Sequence, residues 1–292
     1  MPGGVELSNL DKVFWPDEDL TKGDLIEYFD AVAPYLLPAL RNRPLTVIRF
    51  PNGIKGMSFY QKDTPKYAPG WIKTISLRAE SARRQVRYTL SNDKRTLRWL
   101  ANQACIELHP WLSRTDRLER PDHLVFDLDP PKDAFERSVQ VALVLKEVLD
   151  EIGLEGLPKT SGGKGVHVYV PLQRRYNYPV VRSAALAIGK RVEEQIPAEA
   201  TAEFRIAKRG GRVFLDPGRN APGAHVVAPY SPRARPGATI SFPVPWKDLE
   251  QVKPGDFTIQ NVPSLLAKED RWKKLMPRPQ ALPRDLVRPR SG

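Results

Sequence analysis

The sequence predicts an α+β fold, on three observations. Short hydrophobic runs bounded by Pro, Gly and Asp read as strands. Longer segments with apolar residues at three- and four-residue steps read as helices. The two kinds are interleaved along the chain rather than grouped into separate halves. At 292 residues the chain can form one large domain or two small ones with a real core, and 41 % hydrophobic against 27 % charged residues excludes a wholly disordered polypeptide.

Taken in order, Thr21-Lys22-Gly23-Asp24 is a capping box that opens a helix. Leu25, Phe29 and Val32 follow at helical spacing, and Pro34 and Pro38 predict an end near 33–37. Residues 45–50 (LTVIRF) read as a strand closed by a Pro51-Asn52-Gly53 turn. Leu97, Leu100, Ala101 and Ala104 predict a helix over 92–106. Residues 124–129 read as a strand and 133–152 as an amphipathic helix carrying Phe135, Val139, Leu143, Lys146, Leu149 and Ile152. An alternating strand is expected over 165–171, a helix opened by Pro179 over 179–196, and strands over 212–216 and 238–244. Pro277, Pro279, Pro283 and Pro289 among basic residues predict an extended or disordered tail.

No apolar run approaches the ~18–20 residues of a membrane span. The first residues lack the basic and apolar regions of a secretory signal, and the single Cys105 excludes a disulfide framework or a Cys-cluster zinc site. The expectation is a cytosolic protein. Its net charge of +12 is unevenly spread: residues 78–98 hold seven Lys/Arg against Glu80 and Asp93, and residues 271–292 hold seven against Asp285. Two basic segments on a nearly neutral remainder suit an anionic partner, although solvated surfaces look the same.

The sharpest motif is Phe126-Asp127-Leu128-Asp129-Pro130. In a strand the two aspartates project from one face, their Cα atoms roughly 7 Å apart, while Leu124, Phe126 and Leu128 face the core. Paired carboxylates repel unless a cation neutralises them, and oxygen-only ligands suit Mg²⁺ or Mn²⁺. The plainer reading is the solvent face of an amphipathic strand. Val213-Phe214-Leu215-Asp216-Pro217 offers a third carboxylate, and three of them can clamp two ions for phosphoryl or nucleotidyl transfer. Thr160-Ser161-Gly162-Gly163-Lys164-Gly165 precedes the strand with His167. Its glycines can turn backbone N–H groups to an anion, with Ser161 and Lys164 adding a hydroxyl and a charge, but it is not a Walker A loop. His109, beside Pro110-Trp111, reads alone as a core or capping residue; His123 and His225 carry no signal.

Together these motifs resemble one family. The Asp-x-Asp strand, the Ser-Gly-x-Lys-Gly-x-His strand entry and the later hydrophobic-Asp strand resemble, in that order, the three motifs of the archaeo-eukaryotic primase superfamily. LSNLDKVFWP (7–16), RPLTVIRFPNG (43–53), SFYQK (58–62), IELHPW (106–111), TSGGKGVHVYVPL (160–172) and VVAPYSPR (226–233) resemble the polymerase domain of bacterial DNA ligase D and its stand-alone relatives. The resemblance implies a primase-polymerase fold, with a central mixed β-sheet flanked by helices and a smaller N-terminal α/β part. It spans residues 1–275, with a DNA-end-binding portion about 1–120, a catalytic portion about 121–250, and 276–292 as the Pro-rich tail.

It further implies a metal-dependent nucleotidyltransferase that extends 3′ ends at DNA breaks or short gaps, favours ribonucleotides and serves double-strand break end joining. Asp127, Asp129 and Asp216 would hold two divalent ions, Mn²⁺ or Mg²⁺. Ser161, Lys164, His109 and Arg233 would hold the nucleoside triphosphate, with Arg209 and His167 nearby. Lys12 and Lys22 would grip a 5′-phosphate, Arg49, Phe59 and Tyr60 would meet the template, and Lys62 would add a phosphate contact. The implied partners are DNA ends, Ku and a DNA ligase, with no membrane, and the location is the prokaryotic nucleoid. The basic 78–98 segment falls where the family has a hairpin that aligns DNA ends. Two positions depart from the pattern: Ile48 stands where some relatives are basic, and Pro217-Gly218-Arg219-Asn220 stands where an aromatic residue and a Gln are common. A haloacid-dehalogenase-like phosphatase fits poorly, because Pro131 occupies its Thr/Val position. The other rivals are a stand-alone primase or gap-filling repair polymerase outside end joining, and a non-catalytic end-binding module.

Overall fold

The structure, a computed structural model, describes residues 4–79 and 84–287. The chain forms two compact units, both discontinuous. The first gathers the residues up to Asp116 with His225–Phe242 and Gly255–Asp270; the second gathers Arg117–Ala224, Pro243–Pro254 and the residues from Arg271 onward.

The first unit opens with a hairpin of β1 (Val13–Trp15) and β2 (Leu20–Thr21), which leads into α1 (Lys22–Leu40). Its antiparallel sheet holds β3 (Leu45–Arg49), β4 (Phe59–Gln61), β5 (Thr74–Ala79) and β6 (Arg84–Thr89) in the order β4-β3-β6-β5. After α2 (Lys94–Asn102), β7 (Cys105–Pro110) pairs along β3. The hairpin expected within 78–98 is β5 against β6; Glu80 and Arg83 lie outside the described residues, as do Arg288, Pro289 and Arg290 of the tail.

The second unit carries the site. Its sheet is built from β8 (His123–Asp129), β9 (Leu157–Thr160), β10 (Val166–Pro171), β11 (Ala200–Thr201) and β12 (Val213–Asp216), in the order β11-β12-β8-β10-β9. Only β11 and β12 run parallel, so the sheet is mixed, and α3 (Phe135–Glu151) and α4 (Tyr178–Gln195) pack on it. The α+β class is as expected.

Several boundaries differ from the sequence reading, for physical reasons. The capping box at Thr21 forms, but α1 continues through Pro34 and Pro38 to Leu40. Both prolines lie on the exposed side, where water can take the carbonyls that lose their donors. The opposite face buries Leu25, Phe29, Val32, Leu36 and Leu40, and this burial outweighs the loss. The helix expected over 92–106 stops at Asn102; Ala104 turns at φ +60° and Cys105 begins a strand whose six residues are all buried. A strand buried on both faces loses its alternation and mimics a helix in sequence. The same burial makes β10 uniformly buried rather than alternating.

In α3 Phe135, Val139 and Leu149 are buried as expected, but between them the core stripe runs through Val141, Ala142, Leu145 and Val148 rather than Leu143 and Lys146. Residues 238–244 make only isolated bridges instead of a strand. The tail is packed as far as it is described. Gln280 exchanges hydrogen bonds with Glu155 in both directions at 2.8 Å each. Its backbone N–H donates to Pro171 O at 2.9 Å, and its carbonyl accepts from Gln173 at 2.8 Å. Leu282 and Leu286 are buried beyond it. Among the described residues no helix is long and apolar enough to cross a membrane.

Candidate active site

Register puts three site residues in one row. On β8, Asp127 stands opposite His167 of β10 on one side and Asp216 of β12 on the other, and Asp129 follows two residues on. Leu124, Phe126 and Leu128 are buried, as the spacing required, while both aspartates of β8 retain some exposure.

Each carboxylate faces a cation. Arg219 Nε lies 2.8 Å from Asp127 Oδ2 and 3.3 Å from Asp216 Oδ2, thus bridging the opposed pair. Lys164 Nζ lies 2.8 Å from Asp129 Oδ1, with Arg209 Nη1 3.8 Å from its other oxygen. Burial works against ionising Asp127, but His167 and then Arg219 outweigh it and hold the carboxyl well below the usual range. For Asp216 burial prevails, and its carboxyl is raised despite Arg219. The site is an acidic row with matched counter-charges.

The Gly-rich loop is built differently from the simple cradle expected. Ser161 Oγ accepts from the N–H groups of Gly163 and Gly165, each at 3.1 Å, so the hydroxyl oxygen takes the place of an anion on those two donors. Gly162 adopts φ +65°, and Gly165 passes so close to β8 that a Cβ there would lie 2.2 Å from Leu128 O. Neither position tolerates a side chain without strain. Lys164 also donates to Pro130 O at 3.0 Å, which ties the loop to the end of β8. Arg209 stacks on Phe214, its Cζ 3.8 Å from the ring centroid. His167 is held from behind by the fully buried Lys159, Nζ to Nδ1 2.9 Å, while Nε2 faces Asp127 Oδ1 at 3.3 Å.

The first unit holds the other expected residues in two groups. His109 lies in β7, not at a helix end, and its Nε2 is 3.0 Å from Glu107 Oε2; Arg233 Nε is 3.1 Å from the same oxygen. Burial opposes the charge on Glu107, but His109, Arg233 and the Ala234 N–H bring its carboxyl down to about 2. In the second group Lys12 and Lys22 are joined through the Lys22 N–H to Lys12 O bond of 2.8 Å. The Lys22 ammonium donates to Ser8 O, and burial followed by the charge of Lys12 lowers its pKa. Arg49 donates from Nε to Gln103 O at 2.7 Å and from Nη1 to Gln61 at 3.0 Å, and lies over the exposed Phe59. Phe59 pairs with Arg49, and the exposed Tyr60 with Ile48; Lys62 follows β4.

The chain matches the LigD primase-polymerase domain over residues 21–272. It belongs to that family. A Bacillus subtilis (strain 168) bifunctional non-homologous end joining protein LigD is 35 % identical over 269 residues, which are 91 % of this chain and 43 % of that protein. The Pseudomonas aeruginosa multifunctional LigD is 32 % identical over 286 residues, 92 % of this chain and 32 % of that protein. The chain therefore spans less than half the length of these relatives. The polymerase domain from Mycobacterium tuberculosis ligase D, solved in complex with DNA, superposes with a TM-score of 0.85 at 29 % identity, covering 94 % of this chain and 98 % of that one.

As a LigD primase-polymerase domain the chain has functional-site candidates that sequence reasoning missed. Glu107 and Lys159 emerge only from burial, although an acid two residues before His109 in an apolar strand was a usable signal. Arg219 was visible merely as a departure from the family pattern; its place on two carboxylates is a tertiary fact. Among the described residues no three His, Cys, Asp or Glu side chains are gathered as a ready metal-ligand set, because the aspartates are turned to their cationic partners. Their chemistry nonetheless suits hard divalent cations. Asp127 and Asp216 already share a stand-in cation, the Arg219 guanidinium.

Proposed function

We propose that this LigD primase-polymerase domain is a metal-dependent, DNA-templated nucleotidyltransferase that extends 3′ ends at breaks and short gaps, favours ribonucleotides and acts in end joining. The observation that carries the reading is the acidic row, with Asp127 opposite Asp216 and Asp129 on the same face of β8. Asp127, Asp129 and Asp216 would hold two Mn²⁺ or Mg²⁺ ions, which supply Lewis acidity for a 3′-hydroxyl and charge neutralisation for pyrophosphate. Lys164 and Arg209 would exchange their carboxylate partner for triphosphate oxygens, and the Gly163 and Gly165 N–H groups would exchange Ser161 Oγ for one. His167, steadied by Lys159, fixes the rotamer of Asp127.

On the first unit, Lys12 and Lys22 form a two-ammonium pocket for a 5′-phosphate. Phe59 and Tyr60 offer exposed rings on which unpaired bases stack regardless of sequence. Arg233 adds a cation beside Glu107, and His109 lies against the same carboxylate. Ku and a DNA ligase are the partners the family resemblance implies for end joining.

The test is primer extension on a gapped duplex with Mn²⁺, comparing ribo- and deoxyribonucleoside triphosphates. Wild type should add nucleotides and prefer the ribo form. Asp127→Ala and Asp129→Ala should abolish addition while DNA binding persists. Normal extension by either variant overturns the catalytic assignment of these aspartates, and DNA binding without extension by wild type leaves a DNA-end-binding module.

A further inference from the structure

We propose that Arg219 is the resident counter-cation of the Asp127–Asp216 pair, which a divalent ion must displace, so that this side chain sets how tightly the site loads metal. The inference rests on the metal reading above. It begins from geometry: one guanidinium nitrogen sits 2.8 Å from Asp127 and 3.3 Å from Asp216, on oxygens that an ion would need.

The placement of Arg219 is imposed by its neighbours on both sides. Asp216 Oδ1 accepts from the Gly218 N–H at 2.8 Å, and a Cβ on residue 218 would lie 2.9 Å from that oxygen, so glycine permits the turn. Asn220, fully buried, accepts from Val125 N–H at 2.9 Å and donates to Val125 O at 2.7 Å, pinning the other end of the turn to β8. The Arg219 backbone is thus held between two anchors, with its side chain aimed at the acidic row. The side chain itself is 41 % exposed against 16 % for each carboxylate, so it can swing into solvent while the turn stays in place.

Two consequences follow from elementary electrostatics. Without metal, Arg219 offsets the mutual repulsion of Asp127 and Asp216, which stand opposite on adjacent strands. With metal, a monovalent cation within a few ångströms opposes a divalent one, and the two cannot share the same oxygens. Removing the charge should therefore strengthen metal binding and weaken the metal-free fold together.

The decisive measurement is Mn²⁺ binding to the chelator-stripped protein without DNA or nucleotide, followed by electron paramagnetic resonance of free Mn²⁺, for wild type, R219Q, R219K and D127N. R219Q should bind Mn²⁺ about tenfold or more tightly than wild type, and R219K, which keeps the charge, should bind like wild type. Thermal unfolding in EDTA should show R219Q melting lower than wild type, with the difference removed by Mn²⁺; a cooperative transition also establishes that the variant is folded. Mn²⁺ affinity in R219Q equal to or weaker than wild type, with D127N abolishing binding in the same assay, overturns the counter-cation role and leaves the metal site standing. Absence of D127N-sensitive binding in every variant overturns both.

Discussion

The amine of Lys159, with no exposed surface, meets His167 Nδ1 at 2.9 Å. The other ring nitrogen, Nε2, faces Asp127 Oδ1 at 3.3 Å. Lys159 therefore holds the imidazole ring that stands against the first carboxylate of the row.

Lys159→Met should release that hold. Removing a group that orients a metal ligand costs about 10–100-fold in affinity or activity, and Lys159 acts on Asp127 through His167. We expect the turnover number for nucleotide addition to fall by about tenfold, with the nucleotide KM little changed, and the ¹⁵N chemical shifts of His167 to move. Wild-type turnover together with unchanged shifts would show the lysine to be structural.

Gly165→Ala tests the close approach of the loop to β8. The added Cβ would lie 2.2 Å from Leu128 O, a backbone atom that cannot yield without shifting the strand that carries Asp127 and Asp129. The expected loss is about 3 kcal/mol of stability, read from the urea midpoint. An unperturbed midpoint would mean that the loop has room to move.

Acid sensitivity is expected from Glu107. Its carboxyl lies at about 2 in the folded chain against an ordinary value of 4.5. A depressed carboxyl contributes stability that is complete above about 4.5 and disappears as pH falls toward 2. The shift corresponds to about 3 kcal/mol. Glu107→Gln should therefore be less stable than wild type at pH 7, with the difference shrinking steadily through that window. A pH-independent difference would contradict the ion cluster with His109 and Arg233.

Lys22→Gln addresses the 5′-phosphate. Burial and the charge of Lys12 disfavour the Lys22 ammonium, and a phosphate would relieve both. The variant should lose the preference for 5′-phosphorylated over unphosphorylated gaps, and the salt dependence of binding should fall by about one unit of slope. Retention of the preference would place the phosphate elsewhere.

Much of the site was legible because its chemistry is periodic. Asp127 and Asp129 alternate on a strand, Asp216 ends a second one, and the Ser161–Gly165 loop announces itself by glycine. The rest depends on what burial does to charge. Nothing local distinguishes Lys159 from a surface lysine; only its position on β9 beside β10 buries it against His167. Fold boundaries failed for a related reason. Pro34 and Pro38 break a helix in isolation but not one whose opposite face is packed, and Cys105–Pro110 lacked alternation because both its faces are covered. The basic hairpin shows a similar limit of charge arithmetic. Arg84 is paired with Asp63 at 2.6 Å, Arg98 with Asp30 at 3.2 Å, and Arg95 lies over Trp71, so part of that excess is already engaged.

The interleaving of the two units bears on how the polypeptide must be made. The first unit includes residues as late as Asp270, and the sheet of the second is hydrogen-bonded to Gln280. A growing chain that has reached Ala224 carries every strand of both sheets yet completes neither unit: the first closes only at Asp270 and the second later still. A chain that stopped there would lack His225–Phe242 and Gly255–Asp270 of the first unit and, on the acidic-row unit, the Gln280 hydrogen bonds to Pro171 and Gln173.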